Sequence, residues 1–216
     1  MKNPQKGFTL VEIAIVLVII GLLLGGVLKG QELINSAKVK NLATDFRNIP
    51  LFIYGYQDKF KRLPGDDPDA VIHLGANATK ATTPANLKLG NGVIEGSWTD
   101  EALTNENVLF WQHIRLAGLT NGSTDFSTLA KASLPVNAEG GHIGLQMTAP
   151  ISGLAGTYYA CSTGINKKLA QQLDTTLDDG LGDQGNLRAQ AGLTTDSGVA
   201  GATYTDGQSY TVCLAF

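Results

Sequence analysis

Glu12 is the only charged residue between Phe8 and Leu28, in a stretch that otherwise reads as membrane-soluble. A carboxylate at the centre of a bilayer costs about 2.5–3.5 kcal/mol, so an acid kept inside such a run implies a partner charge and a function. A second set of acids, Asp174, Asp178, Asp179 and Asp183, is interleaved with Gly180, Gly182 and Gly185. Oxygen ligands on a glycine-rich loop suit Ca²⁺. Their spacing lacks the alternate-position ligands and closing glutamate of an EF-hand, and Asx-turns in a solvated acidic loop account for the same residues. His73, His113 and His142 are far apart and no CxxC occurs, so no zinc-type set is legible. No GxSxG, HExxH or P-loop pattern is present. The sequence therefore offers no enzyme centre, and an anchored enzyme or binding protein stands only as an alternative reading.

The elements that must position Glu12 come before and after it. Met1–Gly7 is short, carries Lys2 and Lys6, and lacks the apolar core of an ordinary secretory signal. The 21 residues from Phe8 to Leu28 would make a helix of roughly 31 Å, enough to cross a hydrocarbon core. Gly21, Gly25 and Gly26 are tolerated in spanning helices. Lys2 and Lys6 place the N-terminus on the cytoplasmic side and the body across the membrane, in a single pass.

Lys6-Gly7-Phe8-Thr9-Leu10-Val11-Glu12, followed by the apolar run, resembles the N-terminus of prepilins, the precursors of type IV pilins and of type II secretion pseudopilins. The resemblance covers about the first sixty residues. It implies cleavage between Gly7 and Phe8 by a prepilin peptidase, N-methylation of Phe8, and pairing of Glu12 with the Phe8 amine of a neighbouring subunit. The partners it implies are that peptidase, sibling pilins, an assembly platform and an ATPase, in and around the inner membrane. The body would face the periplasm, or the outside as a filament. The function expected is a structural subunit of a type IV pilus, with a type II secretion pseudopilin as the alternative, no catalytic residue and no cofactor beyond the calcium option.

Composition agrees with an extracytoplasmic, loop-rich body, since charged residues are only 16% and glycines number 26. The net charge is −3, and losing Lys2 and Lys6 with the leader leaves 14 basic against 19 acidic side chains. No basic excess remains for nucleic acid. Across an oxidising compartment the two cysteines, Cys161 and Cys213, read as a disulfide.

Apolar residues continue at Leu33, Ile34, Ala37, Leu42, Phe46, Ile49, Phe52, Ile53, Tyr56 and Phe60 with helical spacing. One helix over about 8–60 follows, kinked but not ended by Pro50 and stopped by Leu63-Pro64-Gly65. Further expectations are a strand at Gly92–Glu95, a helix from about Asn105 to Ala117 and a short helix over Lys167–Leu173. Strand-like runs follow at 143–147, 157–161 and 210–214. The fold class predicted is α+β, a long N-terminal transmembrane and amphipathic helix packed on a small, mainly antiparallel sheet. Its segments are a leader (1–7), a membrane half (8–28), an amphipathic half (29–62) and a globular head (63–216).

Overall fold

The helical period that begins in the apolar run does build one element. In the computed structural model, which describes residues 7, 9–83, 88–192, 198 and 203–216, helix α1 runs Leu10–Phe60. Pro50 lies inside it without ending it. Proline in a helix interior costs about 3 kcal/mol. On either side of it Phe46, Ile49, Ile53 and Tyr56 are buried, each worth about 1.5–3 kcal/mol, and packing wins. The helix stops where Lys61 turns to a positive φ of 57° and Pro64 follows.

The chain divides into two compact units, Met1–Lys38 and Val39–Phe216. The described part of the first is helix alone, with every large apolar side chain from Leu10 to Leu28 exposed. An ion pair between Lys29 and Glu32, at 2.7 Å, lies on its surface.

The second unit has its core where the rest of α1 meets a sheet. Val39, Leu42, Phe46, Ile49 and Ile53 join Leu109, Ile114, Leu145, Ala160 and Val212 in one apolar cluster. The short helix α2 (Ala70–Leu74), then α3 (Glu106–Leu116) and the single turn α4 (Leu129–Ala132) precede the sheet. Strands β1 (Ile143–Gln146), β2 (Tyr159–Asn166), β3 (Leu187–Ala191) and β4 (Ser209–Ala215) form it, with α5 (Lys167–Leu177) between β2 and β3. Every pairing is antiparallel and the order is β1-β2-β4-β3. The α+β layout expected from the sequence is thus the observed one.

The two faces of the sheet differ by one residue in register. Leu145, Ala160 and Leu187 face the α1 cluster, while Cys161, Cys213 and Tyr159 face a smaller cluster with Trp98, Ile151 and Leu154. Trp98 sits against the sheet backbone there: a Cβ on Gly144 would come 2.0 Å from the Trp98 carbonyl oxygen, so that position takes only glycine.

Several local expectations change. Gly92–Glu95 is not a strand, because its backbone donors go to side chains. Gly92 N–H donates to Asp66 (2.8 Å), Ile94 N–H to the Met147 sulfur (3.1 Å) and Glu95 N–H to Glu106 (2.7 Å). The helix expected over Lys167–Leu173 continues to Leu177, capped at its start by the Asn166 side chain, which accepts from Leu169 N–H at 3.2 Å. β3 is an added strand.

Candidate functional site

Thr9, Leu10, Val11 and Glu12 open α1 as a reciprocal cap. Thr9 N–H and Thr9 Oγ1 both donate to Glu12 Oε2, at 2.7 and 2.8 Å, and Glu12 N–H donates to Thr9 Oγ1 at 3.3 Å. This is a capping box, in which the first and fourth residues satisfy each other's helix-start donors. The Thr-x-x-Glu spacing announces it in the sequence, and Thr9 is the functional neighbour that reasoning from hydrophobicity passes over. The isolated chain thereby holds Glu12 against the start of its own helix, on an exposed surface. Gly7 is exposed, and a Cβ added to it would meet nothing within 4 Å among the described residues. Phe8, predicted as the cleaved and methylated residue, and the leader residues 1–6 lie outside the described residues.

Beyond this cap α1 contains, among the described residues, one helix long and apolar enough to cross a membrane by length and composition.

The cysteines are joined as expected. Cys161 and Cys213 stand directly opposite each other on β2 and β4 and form a disulfide closing 52 residues. Both are fully buried.

Of the four aspartates proposed as ligands, the structure gathers Asp174, Asp178 and Asp179, with one oxygen of each within 4.8 Å of the others; Asp183 is not in the group. Each carboxylate in the group already has a donor. Tyr204 OH (2.6 Å) and Gly180 N–H (3.0 Å) donate to Asp174, Leu187 N–H to Asp178 (2.8 Å) and Leu181 N–H to Asp179 (2.8 Å). Burial pushes the Asp174 carboxyl up despite the Tyr204 and Gly180 donors. The cluster closes the turn between α5 and β3, which is the Asx-turn role weighed from the sequence.

Other buried polar groups escaped sequence reasoning because tertiary packing creates them. Asp67, fully buried, accepts from Tyr56 OH and pairs with His73 Nδ1, both at 2.7 Å. Burial raises its carboxyl, but hydrogen bonds from His73, Tyr56 and Asp69 N–H outweigh that and hold it below the usual range. His113 takes Gly65 N–H on Nδ1 (2.9 Å), so its Nε2–H donates to the Thr79 carbonyl (2.8 Å). Burial lowers its pKa, and it is a neutral core residue. Glu106 is fully buried at the start of α3. Burial, with the facing carboxyl of Glu95, pushes it up to about 9.

Comparison with known proteins places one segment. The sequence model of the prokaryotic N-terminal methylation motif matches residues 2–28. No curated protein and no solved structure matches the chain. The capped glutamate and the apolar helix behind it thus lie within a prokaryotic N-terminal methylation motif, the prepilin-type signal of type IV pilins and pseudopilins.

Proposed function

We propose that this chain is a structural subunit of a type IV pilus, a pilin or minor pilin, and not an enzyme. A prepilin peptidase cuts between Gly7 and Phe8 and methylates the new Phe8 amine. The subunit waits in the inner membrane, single-pass with its head in the periplasm, and platform and ATPase machinery draw it into a helical filament. The observation that carries this is Glu12, one carboxylate in an otherwise uncharged segment inside a methylation motif. An ammonium on Phe8 exists only after cleavage, and opposite charges attract strongly where the dielectric is low. In the lone chain Thr9 occupies one oxygen of Glu12. That contact holds the acid until a neighbour's amine arrives.

The same signal serves type II secretion pseudopilins, which is the second reading. The acidic cluster at Asp174 serves to close its turn, and filament formation requires no cofactor from this chain.

The test is Glu12→Ala beside wild type and a deletion strain, read by shear fractionation and electron microscopy. Glu12→Ala is expected to be processed and membrane-inserted but absent from sheared filaments. Normal incorporation would refute the pairing role. Loss of secretion on deletion, with surface filaments intact, would move the assignment to the pseudopilus.

A further inference from the structure

Asp45 is a half-buried carboxylate with no partner among the described residues. It lies on α1 within the second unit, one turn before Ile49. It lines two cavities, one of about 130 Å³ with Phe52, Trp111 and Pro135, and one of about 300 Å³ with Asn41 and Val136. Burial alone displaces its carboxyl, up to about 6, with no hydrogen bond or opposite charge offsetting it. Three other carboxylates buried in this unit are provided for. Asp66 accepts from Gly90 and Gly92 N–H, Asp67 from Tyr56, and Asp174 from Tyr204. A desolvated, unpaired charge is unfavourable, and for Asp45 the described residues supply no partner.

We propose that the groove between α1 and residues 135–138 receives the ammonium of Lys40 from a second copy of this chain. The inference rests on the filament reading above. Lys40 is exposed and has no ion pair among the described residues. It cannot serve its own Asp45, because residues five apart lie on different helix faces. The register of two copies supplies the match. The shift that makes it is one of four residues between parallel copies of α1 within their second units, about 6 Å at 1.5 Å per residue. Asp45 then lies level with Asn41 of the neighbour, one residue from its Lys40. The four-carbon lysine stem covers the remaining separation, while Val136, 64% exposed, forms an apolar rim along which that stem can lie.

Charge exchange in otherwise native cells tests this. Asp45→Lys and Lys40→Asp are each expected to lower sheared-filament yield about tenfold, the order of losing one partly desolvated pair, and the double exchange to restore it. Asp45→Asn, which removes charge with little change of shape, is expected to lower yield as well. Disulfide formation and thermal melting of each variant show that the head has folded. Unchanged yield in the single variants overturns the proposal, as does a double exchange no better than either. So does loss from Asp45→Lys alone, which would assign the groove to another cation such as Arg47. Wild-type filaments that exclude Glu12→Ala yet tolerate every Asp45 variant refute only this inference. A wild type that never enters a filament refutes the assembly reading, and this inference with it.

Discussion

Glu106→Gln should make the protein more stable, and by an amount that grows with pH. Glu106 is buried with its carboxyl facing Glu95 and holds its proton up to about pH 9, against 4.5 for an ordinary glutamate. Folding therefore binds a proton between those limits. For a group raised in the folded state, its contribution is complete below the unfolded value and drains away as pH rises toward the folded one. The slope is about 1.4 kcal/mol per pH unit, so by pH 7 roughly 3 kcal/mol has been lost. Glutamine keeps the carbonyl that accepts from Glu95 N–H and a donor for the Glu95 carboxylate, but it does not titrate. Denaturant titration of the detergent-solubilised full chain can be followed by tryptophan fluorescence, since Trp98 and Trp111 are both buried. The other titrating groups are common to both proteins, so the difference isolates Glu106. The expected result is near equality at pH 4.5, a variant about 3 kcal/mol more stable at pH 7, and a gap still widening at pH 8. A gap that stays flat from pH 5 to pH 8 would show that Glu106 is ionised in the native protein, and the raised Glu106 carboxyl would be wrong.

Replacing both Cys161 and Cys213 by alanine opens a 52-residue loop. It should cost about 4 kcal/mol in the chain-entropy account, measured as a shift in denaturation midpoint; a change under 1 kcal/mol would contradict that account. Gly7→Leu should leave a slower-migrating precursor in the membrane. Because a Cβ at Gly7 meets nothing within 4 Å among the described residues, a block is assigned to recognition by the peptidase, and normal processing would refute the cleavage assignment. Millimolar Ca²⁺ against chelator should leave the melting temperature unchanged, since the Asp174, Asp178 and Asp179 carboxylates already accept from Tyr204 and backbone amides. A calcium-dependent rise would convert that turn into a cation site.

The parts legible in the sequence are those whose cause is local. Helix α1 follows from spacing alone, through Pro50 to the stop at Pro64, and the strands carrying Ile143, Cys161 and Cys213 follow from their alternating apolar residues. β3 is not legible because Leu187-Arg-Ala-Gln-Ala is alanine-rich and weakly strand-forming on its own. It is a strand because β4 offers a free edge. Gly92–Glu95 shows the opposite error: Val and Ile suggest a strand, but Asp66 and Glu106, distant in sequence, claim its amides. At the N-terminus, the motif and Glu12 were readable from residue types, and the Thr9 cap was present in the spacing. Asp45, Asp67 and Glu106 look like ordinary surface acids until packing buries them.

The strand order β1-β2-β4-β3 imposes a timetable on folding during synthesis. β4, the last strand in chain order, enters between β2 and β3, so neither has its inner neighbour until β4 has emerged. Cys161 precedes Cys213 by 52 residues. At a synthesis rate of about 5–20 residues per second, its thiol waits roughly 3–10 s with no native mate in reach. During that interval the open edges of β2 and β3 and the apolar face of α1 are exposed together. An oxidant acting early would trap Cys161 with a foreign thiol, and a holding chaperone acting over those seconds would protect it. The yield of correctly bridged head should therefore depend on the speed of chain synthesis as well as on the final stability of the fold.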